Sequence, residues 1–333
     1  MRAIIWVSLL ACHVHELSGN AMLAVAALRK AGLVAFVLFL SLAAPLAADE
    51  LEDGTRAYEQ ADYGTALRLW RPLADNGDAT AEGLIGAMYA HGLGVAQDYA
   101  EAVKWYRKAA EQGDVLVQIT LGFMYAAGQG VPQDYAHAAG WYRKAADQGD
   151  AGAQFSLATL YDTGQGVSQD YGAAASWYRK SADQGNAAAQ YNLGLGYATG
   201  QGVPQDFAEA ASWYRKAADH GYAAAQNNLG LLYATGRGVP KDDAEAANWY
   251  RQAADRGDAT AQYNLGVAYD TGQGVAMDAV QAYKWYSLAT ARLPASDTEK
   301  RLKVGKNRDL VAGKMTPAQI AEAQRLVREW TAK

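Results

Sequence analysis

The sequence predicts an all-α protein, a right-handed α-solenoid of antiparallel helix pairs with no sheet, and three periodic features support this. Tryptophan recurs every 36 residues in six copies, from Trp105 to Trp285. Glycine keeps the same period from Gly77 to Gly257, and tyrosine keeps it from Tyr89 to Tyr269. Self-similarity at such a period indicates stacked units, each of which buries its apolar face against its neighbours.

The first helix of each unit, here called the A helix, is clearest after Asn186. Asn186 is a favourable N-cap, and Ala189, Leu193 and Tyr197 follow at the i, i+4, i+8 spacing of one helical face. The Gly200-Gln201-Gly202 segment is expected to end this helix, because glycine adopts the left-handed conformation of a helix C-terminus.

The second helix of the unit, the B helix, is predicted to begin after the N-cap Asp206, with Glu209 completing a capping box. Gly221 is predicted to end it. The Trp213-Tyr214 pair and its equivalents are interpreted as packing between helices, and a ligand-binding ladder of aromatic rings is the alternative.

One unit shows the family pattern well, in the residues Ala225-Gln226, Leu229-Gly230, Tyr233, Gly236, Gly238-Val239, Asp242, Ala246, Trp249-Tyr250-Arg251 and Gly257. This pattern resembles the Sel1-like repeats, which are relatives of the tetratricopeptide repeat. The resemblance implies an α-solenoid whose A helices line a concave surface that binds partners.

The domain organisation follows from where the period begins and stops. Six repeats of 36 residues occupy 77–292, and residues 49–76 are read as one degenerate helix pair. Residues 293–333 are predicted to form capping helices that begin at two capping boxes, Ser296 to Glu299 and Thr316 to Gln319. An apolar stripe is expected to cover the last repeat; it consists of Ile320, Ala323, Val327 and Trp330.

Residues 1–48 are predicted to be a signal peptide or leader. The Arg29-Lys30 pair precedes an apolar stretch that ends in small residues near Ala48, which is typical of a secretory signal. Met22 is an alternative start, an uncleaved membrane anchor is an alternative to cleavage, and Leu9 to Cys12 has the form of a lipobox. We therefore expect an exported protein, periplasmic or secreted, with no membrane contact after cleavage.

Composition excludes several function classes. The formal net charge of −5 argues against a nucleic-acid binder, which normally has a basic surface. The one cysteine, Cys12, lies in the leader, and the three histidines that follow the leader (His91, His137 and His220) occupy different repeat positions. No nucleotide-binding, zinc-protease or serine-hydrolase motif occurs. We therefore predict no enzyme activity, with no catalytic, cofactor-binding or metal-binding residue and no cofactor.

The basic residues form two groups. An Arg-Lys dipeptide recurs on the B helices at Arg107, Arg143, Arg179 and Arg215, and each arginine has an acid four residues later. We interpret this row as a solvated ridge of local ion pairs, with an anion-binding stripe as the alternative. Lys300, Arg301, Lys303, Lys306 and Arg308 are read as a solvated helix, with a membrane surface or acidic partner as the alternative.

The candidate binding residues are A-helix positions that vary while the scaffold repeats. One row comprises Ile119, Phe155, Tyr191, Asn227 and Tyr263, and the next comprises Thr120, Ser156, Asn192, Asn228 and Asn264. Asparagine offers one acceptor and two donors, which suits an extended peptide backbone. The candidate partner-binding residues are therefore Tyr191, Asn192, Asn227, Asn228, Tyr263 and Asn264. The alternative is that Asn192, Asn228 and Asn264 satisfy carbonyls between neighbouring units.

Together these observations predict a non-enzymatic protein–protein interaction scaffold, adaptor or regulator in the bacterial cell envelope. Its partner would be an unidentified protein or peptide bound in the concave groove. The resemblance implies envelope signalling or exopolysaccharide control as a setting. A peptidoglycan-binding module is the second hypothesis. A weak β-lactam-binding hydrolase is the third, although the repeats contain neither cysteine nor a Ser-x-x-Lys motif.

Overall fold

The computed structural model describes residues 45–331, and its side chains from Asp49 onward. This part of the chain forms sixteen helices and no strand, as the sequence predicts. They are α1 (Pro45–Glu59), α2 (Tyr63–Asp75), α3 (Ala79–His91), α4 (Tyr99–Glu111), α5 (Val115–Ala127), α6 (Tyr135–Asp147), α7 (Ala151–Thr163), α8 (Tyr171–Asp183), α9 (Ala187–Thr199), α10 (Phe207–Asp219), α11 (Ala223–Thr235), α12 (Asp243–Asp255), α13 (Ala259–Thr271), α14 (Ala279–Arg292), α15 (Thr298–Ala312) and α16 (Pro317–Thr331).

Most of the predicted leader, residues 1–44, lies outside the described residues. Its last four residues form the beginning of α1. The boundary proposed at residue 48 therefore falls in the first turn of this helix. Proline is tolerated at the first helical position, where the helix needs no backbone N–H, and Pro45 begins α1.

The described chain divides into two compact units. The first contains residues 45–153 and 165–167, and the second contains 154–164 and 168–331. Within the first unit each helix from α1 to α6 packs against the next along the chain. Within the second unit the same succession runs from α8 to α14, and α14 also packs against both α15 and α16. This nearest-neighbour packing of helix pairs is the solenoid arrangement that the periodicity predicts.

Polar caps begin the helices where the sequence places them. Asn186 Oδ1 accepts the backbone N–H of Ala189 at 3.0 Å, and Asp206 Oδ1 accepts those of Ala208 and Glu209 at 2.8 and 3.1 Å. Both predicted N-caps are confirmed. Tyr222 is an exception at the start of α11, because its side chain makes no capping hydrogen bond.

The loop between the two helices of a repeat requires glycine. Gly200 and Gly202 both have φ of 76°, in the left-handed region that favours glycine. A Cβ atom on Gly202 would lie 2.0 Å from the carbonyl oxygen of Tyr171, so this glycine also brings its loop close to the start of the preceding B helix. The predicted end of α9 is confirmed.

Aromatic rings fill the space between A and B helices. Trp213 is 4 % exposed and Tyr214 is 2 % exposed. The Tyr214 ring lies against Gly194, where an added Cβ would be 2.8 Å from Cδ1. The interpretation of the Trp-Tyr pairs as packing between helices is therefore confirmed.

The ends of the described chain are closed by atypical helices. Trp70 of α2 is fully buried, and its Nε1 donates to the Leu51 carbonyl at 3.3 Å, so α1 and α2 form a packed pair. Thr316 and Gln319 form the predicted capping box, with Thr316 N donating to Gln319 Oε1 at 2.8 Å and Gln319 N donating to Thr316 Oγ1 at 3.3 Å. The other predicted capping box, Ser296 to Glu299, is wrong, because Asp297, and not Ser296, caps α15. Serine and aspartate are similar N-caps, so the pattern alone did not distinguish the two positions.

The predicted stripe on α16 covers the last repeat in part. Ala323 is buried, and Val327 and Trp330 pack on the hydrophobic cluster around Trp285. The rings of Trp285 and Trp330 meet edge to face with centroids 6.4 Å apart.

Candidate partner-binding surface

The six predicted binding residues lie on one surface of the second unit. We call this surface the A-helix face and define it by α9, α11 and α13 with residues 154–163 of α7. Tyr191 and Asn192 are on α9, Asn227 and Asn228 are on α11, and Tyr263 and Asn264 are on α13. Asn227 is buried and the other five side chains are partly buried.

The asparagines of the second row contact the preceding repeat. Asn192 hydrogen-bonds the hydroxyl of Tyr178, and Asn228 hydrogen-bonds those of Tyr191 and Tyr214. Asn264 Nδ2 donates to Asn227 Oδ1 at 2.9 Å. These contacts agree with the alternative role of the asparagines between units, although their partners are side chains and not carbonyls. A direct role in binding stays a prediction.

The tyrosines of the first row pack on other tyrosines, of which Tyr214 and Tyr286 are buried. The Tyr191 ring lies 5.9 Å from Tyr214 and 5.1 Å from Tyr222, and the Tyr263 ring lies 5.9 Å from Tyr286. Burial raises the pKa of Tyr214 to about 12 and also raises that of Tyr191. These phenols are therefore neutral hydrogen-bonding groups at physiological pH.

The earlier members of the two rows are less suited to contact a partner. Phe155 of α7 packs against Tyr178 with ring centroids 5.8 Å apart, and Ser156 beside it is partly buried. In the first unit Ile119 and Thr120 are partly buried on α5, and Thr120 Oγ1 donates to the Leu116 carbonyl of its own helix at 2.8 Å.

Sequence reasoning missed two exposed leucines on the A-helix face. Leu195 of α9 is 38 % exposed and Leu231 of α11 is 48 % exposed, at equivalent positions 36 residues apart. A single exposed apolar side chain is ordinary, whereas exposed apolar side chains that form a contiguous row mark an interaction surface. The periodicity shows that Leu195 and Leu231 share one register position of the repeat. It does not show that this position faces solvent.

A small cavity opens beside Leu195. It has a volume of about 40 Å³ and lies between α7, α8 and α9. Asp162, Tyr178, Asn192 and Leu195 are among the residues that line it. Burial raises the pKa of Asp162 above its usual range, because the ionised carboxylate is partly removed from water.

The helices of the A-helix face differ from the B helices in the charge of their side chains. The helices α7, α9, α11 and α13 contain no lysine or arginine, whereas Asp162 and Asp270 lie near the ends of two of them. The recurring basic residues lie on the B helices instead. These four helices therefore contribute acidic but no basic side chains, although Arg179 and Arg215 of the B helices reach Tyr197 and Tyr233.

The predicted ion pairs on the B helices are corrected by the structure. Arg107 donates to the hydroxyl of Tyr125 at 2.7 Å in the first unit, and Arg179 and Arg215 donate to those of Tyr197 and Tyr233 in the second. Among the described residues none of these three arginines forms a salt bridge with the acid four positions later, Glu111, Asp183 or Asp219. A tyrosine of the next A helix is close enough to compete, which spacing along one helix does not reveal.

The basic cluster near the C-terminus is partly paired. Lys300 forms a salt bridge with Asp297 at 3.0 Å, and Arg308 forms one with Asp309 at 2.7 Å. Lys303 Nζ lies 5.7 Å from the centre of the Tyr263 ring. These contacts fit the interpretation of α15 as a solvated helix that packs on the last repeat.

No reactive constellation emerges from the described residues. Within 45–331 there is no group of three or more His, Cys, Asp or Glu side chains arranged to hold a metal ion. His137 forms a hydrogen bond between Nδ1 and Asp134 Oδ2 at 2.7 Å and stacks on Tyr125. No helix in this part of the chain has the length and apolar character needed to cross a membrane.

Comparison with known proteins gives consistent results. The model of the Sel1 repeat matches seven segments, at residues 46–78, 79–114, 117–150, 151–186, 187–222, 223–258 and 259–292. The first of these coincides with the pair that the sequence indicated as degenerate. No curated protein matches the chain.

Two solved structures are similar to it. A Sel1 repeat protein from Oxalobacter formigenes is 34 % identical, covers 72 % of this chain and 96 % of its own, and has a TM-score of 0.61. The protective antigen c5321 of uropathogenic Escherichia coli is 32 % identical, with coverage of 86 % and 77 % and a TM-score of 0.39.

Proposed function

Because the chain belongs to the Sel1 repeat family, we propose that it is a non-enzymatic scaffold that binds a protein or peptide partner on the A-helix face. Sel1 repeats generally mediate protein–protein interactions and are generally non-catalytic. We further propose that the protein is exported and works in the bacterial cell envelope. The signal-like residues 1–48 support this part of the proposal.

One observation supports the choice of the A-helix face over other surfaces. Leu195 and Leu231 are exposed at the same register position of consecutive A helices, beside the polar side chains Asn192 and Asn228. An apolar row flanked by amide groups suits an extended segment that alternates apolar side chains with backbone hydrogen bonds.

Site-specific photocrosslinking tests this function. The photoreactive residue p-benzoylphenylalanine is introduced at Leu231 and, as the matched control, at Met277, which is 72 % exposed in a loop of the same unit. Both variants are irradiated in cells that make the protein. We expect a discrete protein adduct from position 231 and not from 277. The same adducts from both positions, or none from 231, would contradict the proposal.

The cellular location has a separate test. Cell fractionation followed by intact-mass measurement is expected to give an envelope or secreted product that begins near Asp49. A cytoplasmic product that retains residues 1–48 would overturn the proposed export.

A further inference from the structure

The carboxylate of Asp162 has no partner in the part of the chain that the structure describes. It lies at the last turn of α7 and lines the cavity of about 40 Å³ between α7, α8 and α9. No hydrogen bond or ion pair reaches its carboxylate from any described residue, and desolvation is the one cause of its raised pKa. The hydroxyl of Tyr178, which also lines the cavity, is engaged by Thr159 and Asn192 instead.

The equivalent acid three repeats later is engaged. Asp270 occupies the same register position in α13, and Tyr286 Oη donates to its Oδ2 at 3.4 Å. In the two intervening A helices this position is taken by Ala198 and Ala234. The repeat pattern therefore does not require an acid at this position. Of the two acids that occupy it, Asp270 accepts a hydrogen bond from Tyr286, whereas the carboxylate of Asp162 accepts none from a described residue.

An apolar surface continues from this acid. Leu195 lines the same cavity, and Leu231 is exposed at the corresponding position of the next A helix. The four A helices contain no lysine or arginine, and no described lysine, arginine or histidine forms a salt bridge with Asp162. A partly desolvated carboxylate next to exposed leucines complements a cation that is followed by an aliphatic side chain.

We propose that the A-helix face recognises an extended segment of its partner in which a lysine or arginine side chain enters the Asp162 cavity and an adjacent aliphatic side chain packs on Leu195 and Leu231. This inference rests on the proposed function and specifies the chemistry of its ligand. The cavity of about 40 Å³ exceeds the space that one water molecule needs, so a charged head group can enter it. The bound cation would restore the favourable electrostatic environment that the carboxylate loses through burial.

Selection from a phage-displayed library of random linear 12-residue peptides tests the inference. The selection is run in parallel on the intact protein, on Asp162→Asn and on Asp183→Asn, an exposed acid of α8 that serves as the matched control. We expect the intact protein and Asp183→Asn to enrich the same peptides, with Lys or Arg beside Leu, Ile or Val. Asp162→Asn should lose that enrichment.

The selected peptide then serves as the probe in a double-mutant cycle. Replacement of its basic residue by norleucine and the Asp162→Asn substitution should each weaken binding about tenfold, and together little more than either alone. Asn removes a partly desolvated charge, so the melting temperature of Asp162→Asn should equal or exceed that of the intact protein. A loss of affinity therefore cannot be attributed to unfolding. Leu231→Ser should weaken the same peptide, and Leu302→Ser, at an exposed leucine of α15, should not.

The possible results separate the two proposals. Selected peptides that lack a basic residue, or that bind Asp162→Asn as well as the intact protein, would overturn this inference and leave the scaffold function standing. Selection of no peptide, together with no crosslink from position 231, would overturn the proposed function itself.

Discussion

At the scale of single residues, one position of the repeat can carry a charged side chain in one repeat and a neutral one in the others. Glu82 of α3 stands where the later A helices carry a buried glutamine, such as Gln118 of α5. Gln112 Nε2 donates to Glu82 Oε2 at 2.8 Å, and Gln148 Nε2 donates to Gln118 Oε1 at 2.9 Å in the same way. Burial raises the pKa of Glu82, and the charge of Lys108 opposes this. The ionised carboxylate is therefore less stable in the folded protein than in the unfolded chain.

Replacement of this acid is expected to stabilise the protein at neutral pH. A carboxyl group whose folded pKa is raised costs stability as pH rises from its unfolded pKa through its folded pKa. Glu82→Gln keeps the hydrogen bond and removes the partly desolvated charge, so thermal melts at pH 7 should show a higher melting temperature, by about 2–4 °C for each kcal/mol gained. At pH 4 the gain should vanish, because Glu82 is then protonated. Equal melting temperatures at pH 7, with the exposed Glu52→Gln of α1 as control, would contradict this expectation.

Sequence alone left two roles open for the asparagine row of Asn192, Asn228 and Asn264: binding a partner, or contact between neighbouring repeats. Asn228 contacts the hydroxyls of Tyr191 and Tyr214, and Tyr214 is almost fully buried. Periodicity identified this row, but the direction of each amide depends on the neighbouring repeat, so the contacts were not predictable from spacing.

We expect Asn228→Ala to destabilise the protein by about 1–3 kcal/mol, because it leaves a buried hydroxyl without this partner. Differential scanning calorimetry against Asn248→Ala, at an exposed position of α12, measures the effect. A variant that melts like the control but no longer binds the selected peptide would instead assign Asn228 to recognition.

At the scale of the element, the loops are as constrained as the helices. Gly185, which follows α8, and Gly202, which follows α9, both have positive φ, at 89° and 76°. An added Cβ would meet nothing within 4 Å at Gly185, but would meet the Tyr171 carbonyl at 2.0 Å at Gly202. The sequence predicts that Gly202 ends an A helix, and Gly185 is the equivalent of the predicted B-helix stop Gly221 one repeat earlier. The structure distinguishes a glycine needed for its conformation alone, Gly185, from one needed for close approach as well, Gly202.

Two alanine substitutions separate these requirements. Gly185→Ala should cost about 1 kcal/mol, because only the left-handed conformation is penalised. Gly202→Ala should cost at least about 3 kcal/mol, since the loop must also move away from the preceding B helix. Urea denaturation of the two variants gives the comparison. Equal losses would show that the loop can shift freely.

At the scale of the whole molecule, each repeat is stabilised by its neighbours, so the end of the array needs a cover. In the second unit α16 supplies part of that cover through Val327 and Trp330, which pack on the cluster around Trp285 and Leu265. Arg292 lies over the Trp330 ring at 4.4 Å and extends the contact.

Removal of residues 317–333 is therefore expected to lower the melting temperature and to cause self-association, because Trp285 and its neighbours become exposed. Light scattering coupled to size exclusion, together with thermal melts, measures both effects, and a chain that ends at residue 331 is the control. A truncated chain that stays monomeric and melts with the control would show that α16 contributes little.

The sequence by itself determined the helix pairs, their caps and turns and the buried Trp-Tyr positions, because each depends on local spacing repeated six times. It also indicated which A-helix rows vary. Only the tertiary structure decided which side chains make contacts between repeats and which are exposed to solvent. Asn228 and Leu231 lie one turn apart on α11, yet the first contacts the preceding repeat and the second is exposed. That difference arises from how consecutive helices pack in three dimensions, and spacing along a single chain does not contain it.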